Sequence, residues 1–199
     1  NFKSAPAFTK TKLFDESTIN YTATCLTRQD DDDSIIFHSE KKIKRNYSWK
    51  ELRSAVFKFA NYLKNNNIKK NDRIAAILPN IPETVISFLS TAQLGAIWSS
   101  CSSDFGKKAI IDRFKQIEPK VLLFSDYYFY NNKKVDTTKI IKDVVYNIPS
   151  IEKIILIPYE FNETDYQLDF EYDNLYNILQ QEIEYSKFEK FNFNHPLYI

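Results

Sequence analysis

Apolar residues recur along this chain at two spacings. From Leu52 they fall at Leu52, Ala55, Val56, Phe59, Ala60 and Leu63, the three-and-four rhythm of a helix with one buried stripe. Ser48-Trp49-Lys50-Glu51 stands just before it. A serine three residues ahead of a glutamate predicts a reciprocal cap at the helix start, and Asn65-Asn66-Asn67 ends the stretch. Elsewhere the apolar runs are short and continuous: Arg73 to Leu78, Ala96 to Cys101, Val121 to Phe124 and Lys153 to Ile157. Such runs suit strands covered on both faces of a parallel sheet.

Helices are expected between these strands. Val85, Ile86, Phe88, Leu89, Ala92 and Leu94 lie nearly all round one of them, so it should be deeply buried. Pro82 fits its first turn, where an amide has no partner to lose. Gly95 stands where a left-handed C-cap would be. Further helices are predicted from Lys107 to Gln116, Thr137 to Tyr146 and Asp173 to Glu182. Glu160 to Asp173 reads as an acidic loop, and Leu197-Tyr198-Ile199 as the start of a last strand. Ser34 to His38 and Ile43 to Tyr47 pair as a hairpin. The order helix, strand, helix, strand from residue 48 predicts an α/β fold: a mostly parallel sheet with helices on both faces. Residues 1–33 are read as an irregular N-terminal segment, and 34–199 as the body.

Composition narrows the function classes. The 199 residues hold only two glycines, Gly95 and Gly106, where average usage would give roughly 14 at about 7%. A phosphate loop needs two spaced glycines before Lys-Ser/Thr and a dinucleotide fingerprint needs three, so neither lies in this stretch. Lysine (22) and asparagine (17) far outnumber arginine (5), a bias read as genome-wide rather than functional. The net charge of +1 gives no case for nucleic acid or an anionic membrane. No apolar run approaches the roughly 18 residues of a membrane span. Cys25 and Cys101 form no metal or redox pair, which suits a reduced, cytosolic setting. The absence of methionine and the apolar end at Ile199 are read as the marks of a piece of a longer protein.

Ligands of open α/β sheets bind beyond the carboxyl ends of strands. The richest such segment is Ser99-Ser100-Cys101-Ser102-Ser103-Asp104-Phe105-Gly106. Its hydroxyls and amides either hold a phosphate or thiol-bearing chain or, more simply, cap the next helix. Tyr127-Tyr128-Phe129-Tyr130-Asn131-Asn132-Lys133-Lys134 is either a base-stacking, phosphate-contacting segment or a partly buried loop. His38 reads as a strand histidine, His195 as a loop residue and Cys101 as a small packed residue. Asp30 to Asp33 reads as a solvated turn. No nucleophile–base pair stands out, and no metal-ligand cluster is expected.

Several stretches resemble AMP-forming acyl-CoA synthetases of the adenylate-forming superfamily. These are Tyr47 to Arg53, Asn71 to Val85, Asp112-Arg113-Phe114, Gln116 to Leu122 and His195 to Ile199. Gly95 to Gly106 is similar to the acetoacetyl-CoA synthetase branch in particular. The resemblance implies a two-step ligase: acetoacetate and ATP give an acyl-adenylate and pyrophosphate, and the CoA thiol then displaces AMP. ATP, CoA and Mg2+ would serve the full-length enzyme, and none is expected on this fragment, which should be inactive alone. The resemblance also implies that Ser102, Ser103 and Asp104 lie against CoA, with Tyr130 and Lys133 on the segment that meets its phosphate. Tyr130 departs from the family's arginine there, Asn71 from a glycine and Ser103 from a proline. The alternatives are another short-chain acyl-CoA synthetase, such as one acting on acetate, or a non-catalytic binding module derived from the family.

Overall fold

A computed structural model describes residues 2–3, 11–182 and 187–199. Short elements open the chain: β1 (Phe2–Lys3), β2 (Lys12–Leu13), β3 (Thr18–Ile19) and α1 (Tyr21–Cys25). The body follows as β4 (Asp33–His38), β5 (Lys44–Ser48), α2 (Trp49–Asn65), β6 (Arg73–Ile77), α3 (Pro82–Gln93), β7 (Ile97–Cys101) and α4 (Lys107–Lys115). Then come β8 (Val121–Ser125), β9 (Tyr127–Tyr130), β10 (Lys133–Asp136), α5 (Thr138–Asn147), β11 (Lys153–Ile157), β12 (Asp173–Asn174), α6 (Leu175–Gln180) and β13 (Phe191–Asn192).

Five strands form one sheet in the order β12-β11-β8-β6-β7, and every pairing in it is parallel. The apolar runs earn these places because successive residues face opposite sides. Ile74, Ala76, Leu123 and Ile155 point to a core closed by α2, α3 and α6. Ala75, Ile77, Leu122 and Phe124 point to a second core with Ile110 and Phe114 of α4 and Ile141 and Val144 of α5. Each fully buried Ile, Leu, Val or Phe among them contributes about 1.5–3 kcal/mol. The α/β architecture read from the sequence is the one observed.

Local signals hold in detail. The Ser48 hydroxyl accepts from the Glu51 amide at 3.2 Å and Glu51 accepts from the Ser48 amide at 2.8 Å. Gly95 has φ +66°, just past the end of α3, and its missing Cβ leaves room for the Phe191 ring. Helix α3 is more polar inside than its apolar pattern suggests. Ser90 donates to the carbonyls of Val56 and Ile86, and Thr91 to that of Ser87. These small hydroxyls satisfy themselves on backbone while α2 packs against them. Asp30 and Asp32 lie in an exposed turn paired with Arg28.

Two expectations need correction. The helix expected from Asp173 to Glu182 is shorter, because Asp173–Asn174 is drawn into the sheet beside Ile155 and Leu156. Asn174 then caps α6, its side chain accepting from the Tyr176 amide at 2.9 Å. The segment Tyr127–Lys134, read as a loop, is most of a β-hairpin. The N-terminal segment is stitched to the body: β3 pairs with β13, and Thr22 donates to the Leu89 carbonyl at 2.6 Å. At the far edge Tyr198 bridges Trp98 in parallel.

Candidate functional site

Strand β6 lies between β7 and β8, so the chain runs from it outward to β7 and then back across to β8 and β11. The change of direction places a crevice beyond the carboxyl ends of β6 and β8. Three features line this end: the head of α3, the β7–α4 loop and the β9–β10 hairpin.

The head of α3 is filled by the protein itself. Glu83 has no solvent exposure and receives Arg45 Nη1 at 2.6 Å, Arg45 Nη2 at 3.0 Å and the Tyr47 hydroxyl at 2.9 Å. Arg45 Nη2 also donates to the Tyr159 carbonyl at 3.3 Å. The guanidinium lies 5.1 Å from the Phe37 ring centre and 5.6 Å from that of Phe161. Burial pushes the Glu83 carboxyl above the usual range while Arg45 and Tyr47 pull it back. This cluster joins the β4–β5 hairpin to α3, and sequence reading missed it because its members are dispersed and lack a motif.

The β7–α4 loop does not cap its helix. Gly106 is the N-cap and provides no side chain, and the first turn of α4 has no acid. The capping expectation for Ser102, Ser103 and Asp104 therefore fails. Instead the Phe105 amide donates to the Ser102 carbonyl at 3.2 Å in a turn. Ser102 and Asp104 are exposed. Ser103 is 4% exposed, and its hydroxyl has no hydrogen-bond partner among the described residues.

Tyr130 and Lys133 stand directly opposite each other across the β9–β10 hairpin. Its two-residue turn is Asn131-Asn132, both left-handed at φ 49° and 61°, the backbone of a turn that matches strand twist. The alternation splits the hairpin into two faces. Tyr127 and Phe129 pack against Tyr159 with ring centres 5.3 and 5.5 Å away, and Lys134 Nζ sits 3.5 Å over the Tyr127 ring. Tyr128, Tyr130, Lys133 and Val135 share the other face. There, burial and then the charge of Asp104 raise the Tyr128 hydroxyl. Asp104 thus acts electrostatically on Tyr128, which shares its face of the hairpin with Tyr130 and Lys133. Tyr130 is 70% exposed. The hairpin tip is tied to the β4–β5 turn by the Asn132 amide donating to Glu40 at 2.8 Å.

Asp126, at the base of this hairpin, was not picked out from the sequence. It is 3% exposed. Its Oδ1 accepts from the amides of Tyr127 and Tyr159, each at 2.9 Å, and its Oδ2 from the Tyr166 hydroxyl at 2.8 Å. The only sequence signal is an acid directly after an apolar strand.

The remaining candidates play structural parts. His38 is an exposed strand residue. His195 Nε2 lies 2.7 Å from the Gly95 carbonyl oxygen. Cys101 is buried, with Arg113 Nη1 3.7 Å from its sulfur. Among the described residues no group of three His, Cys, Asp or Glu could hold a metal ion, and no helix is long and apolar enough to cross a membrane.

Comparison with known proteins agrees with this architecture. Residues 23–185 match the family described as AMP-binding enzyme. Acetoacetyl-coenzyme A synthetase of Rhizobium meliloti (strain 1021) is 37% identical over 148 residues, 74% of this chain and 22% of the relative. Acetoacetyl-CoA synthetase of Xenopus tropicalis is 33% identical over 196 residues, 94% of this chain and 29% of the relative. The solved acetoacetyl-CoA synthetase from Streptomyces lividans superposes with a TM-score of 0.83 at 31% identity, over 91% of this chain and 28% of that one. The chain thus spans less than a third of the length of these relatives. The match over residues 23–185 places the chain in the AMP-binding enzyme family, and these relatives of it are acetoacetyl-CoA synthetases.

Proposed function

We propose that this chain is the N-terminal part of an ATP-dependent acetoacetate–CoA ligase. The observation that carries the reading is similarity to acetoacetyl-CoA synthetases across 94% of the chain, a span that includes both the β7–α4 loop and the β9–β10 hairpin. The reaction has two steps. Acetoacetate attacks the α-phosphorus of ATP, giving acetoacetyl-adenylate and pyrophosphate. The CoA thiol then attacks the acyl carbon and AMP leaves.

Within that cycle these residues serve CoA. Ser102, Ser103 and Asp104 form one wall for it. Lys133 offers a cation to its phosphate, and Tyr130 offers an exposed ring face beside that cation, where base stacking is worth about 1–3 kcal/mol. The residues here do not fit the other two groups. By the family resemblance, ATP and Mg2+ are held by other parts of the full-length enzyme; among the described residues no cluster could hold a metal ion and the two glycines stand in no phosphate-loop spacing. We accordingly assign the isolated chain no turnover, and we place the enzyme in the cytosol, a setting that keeps Cys25 and Cys101 as free thiols.

The test is pyrophosphate release by the protein that carries this chain at the length of its relatives, with acetoacetate, acetate and propionate compared. A specificity constant for acetoacetate at least tenfold above the other two is expected. A preference for acetate would overturn the substrate assignment.

A further inference from the structure

Three arrangements outside the proposed chemistry stand out: the acidic cavity beside β12, the lysine-lined cavity at the end of α3 and the buried carboxylate of Asp126. The third has the most complete set of contacts. A buried carboxylate is costly unless its oxygens are satisfied, and Asp126 satisfies them from three separate parts of the chain. Tyr127 begins the hairpin, Tyr159 follows β11, and Tyr166 lies in the segment beyond. Asp126 takes part in no ion pair among the described residues. Its main-chain carbonyl also accepts from the Thr137 amide at 3.0 Å, where the chain returns from the hairpin. The Thr137 hydroxyl donates to the Ser125 carbonyl beside it.

One residue therefore clamps both ends of the 127–136 excursion and fixes its direction against β11. Among the described residues strand β9 pairs only with β10, and the hairpin lies outside the five-stranded sheet. Its inner face rests on Tyr159, whose amide the same carboxylate holds.

We propose that Asp126 is a positioning residue: it fixes the direction of the β9–β10 hairpin so that the face carrying Tyr130 and Lys133 is held in place for CoA. This rests on the reading that the hairpin contacts CoA. Asp126 touches no substrate itself. Its removal should loosen the hairpin and weaken CoA capture while leaving adenylate formation alone.

The experiment uses the protein carrying this chain at the length of its relatives, with Asp126→Ala, Asp126→Asn and Tyr166→Phe. Three quantities are read: amide hydrogen exchange in residues 127–136, KM for CoA, and acetoacetate-dependent ATP–pyrophosphate exchange. Asp126→Ala should speed exchange at least tenfold in the hairpin and raise KM for CoA at least tenfold. ATP–pyrophosphate exchange should stay within twofold. Asp126→Asn keeps an acceptor oxygen for the two amides and should restore KM to within about threefold. Tyr166→Phe deletes one contact without emptying the site; it should raise hairpin exchange two- to fivefold and keeps the test open if Asp126→Ala does not fold. Unchanged hairpin exchange in these variants would overturn the positioning role. Parallel loss of both half-reactions would reduce Asp126 to general stability and also overturn it. Faster hairpin exchange with an unchanged KM for CoA would instead overturn the reading of the hairpin as a CoA contact, and the proposal with it.

Discussion

Replacing Arg45 by methionine isolates the energetics of the buried cluster at the head of α3. The change removes both bonds to Glu83 and the bond to the Tyr159 carbonyl, leaving a fully buried carboxyl with the Tyr47 hydroxyl and its own backbone amide. Such a group escapes an uncompensated charge by taking up a proton. At pH 7 it must do so 2.5 units above its ordinary value of 4.5, at about 1.36 kcal/mol per unit, so this contribution has a ceiling of about 3.4 kcal/mol. At pH 5 the same ceiling is about 0.7 kcal/mol. The lost ring contacts with Phe37 and Phe161 add about 0.5–1 kcal/mol each at either pH. A cost of about 3–5 kcal/mol is thus expected at pH 7, the usual range for breaking a buried pair. The sign follows from linkage. The folded carboxyl sits above its ordinary value, so the folded state binds the extra proton and the variant loses stability as pH rises. Urea unfolding at both pH values, followed by Trp49 and Trp98 fluorescence, measures this directly. The double variant Arg45→Met/Glu83→Leu should recover most of the loss. A cost that is equal at pH 5 and pH 7, or a double variant no more stable than the single, would refute the argument.

Two other perturbations follow from features of the fold. Gly95→Ala places a Cβ 2.8 Å from the Phe191 ring at φ +66°, so a loss of about 1–3 kcal/mol is expected in thermal unfolding, and a neutral result would refute both the ring contact and the backbone strain. Burial would raise the Asp173 carboxyl, but the Tyr62 hydroxyl and the Lys153 ammonium outweigh it and hold the group below its ordinary value. Its contribution is therefore present above pH 3.8 and lost as the pH falls below it, and Tyr62→Phe should shift acid unfolding to higher pH in a circular-dichroism titration.

The framework of this fold was legible because its signals are local. The stripe from Leu52 to Leu63, the Ser48–Glu51 cap and the uninterrupted runs at β6, β8 and β11 each act within a few residues. What escaped was set by distant contacts or by disguised turn chemistry. Arg45, Tyr47 and Glu83 meet only because the fold carries the β4–β5 hairpin over the head of α3. Asp126 gains its meaning from Tyr159 and Tyr166, more than thirty residues away. The β9–β10 hairpin was obscured because its turn is Asn-Asn where Asn-Gly is the strong signal. That substitution is general in this chain. Of the eight non-glycine residues with positive φ among the described residues, four are asparagines: Asn67, Asn71, Asn131 and Asn132. Asparagine tolerates the left-handed region better than other side chains, so it does here much of what glycine does elsewhere. Asn71, read as a departure from a family glycine, has φ 71°, which explains how the departure is tolerated. The site residues were less legible than the fold. Tyr130 and Lys133 share a face only once the hairpin register is known, and Ser103 looks like a helix cap until Gly106 is seen in that role.

The place of β6 between β7 and β8 also sets an order on how this chain is made. Strand β6 leaves the ribosome before either neighbour. One edge is covered by β7 some twenty residues later, and the other waits for β8, roughly forty residues later. At about 5–20 residues per second this second delay lasts between about two and nine seconds. Throughout it the run Ile74-Ala75-Ala76-Ile77 shows unpaired amides and carbonyls along one side, a template for any strand that arrives first. Strand β6 therefore carries an open edge while residues 78–120 are being made, the stretch of synthesis during which a chaperone would be of use to it.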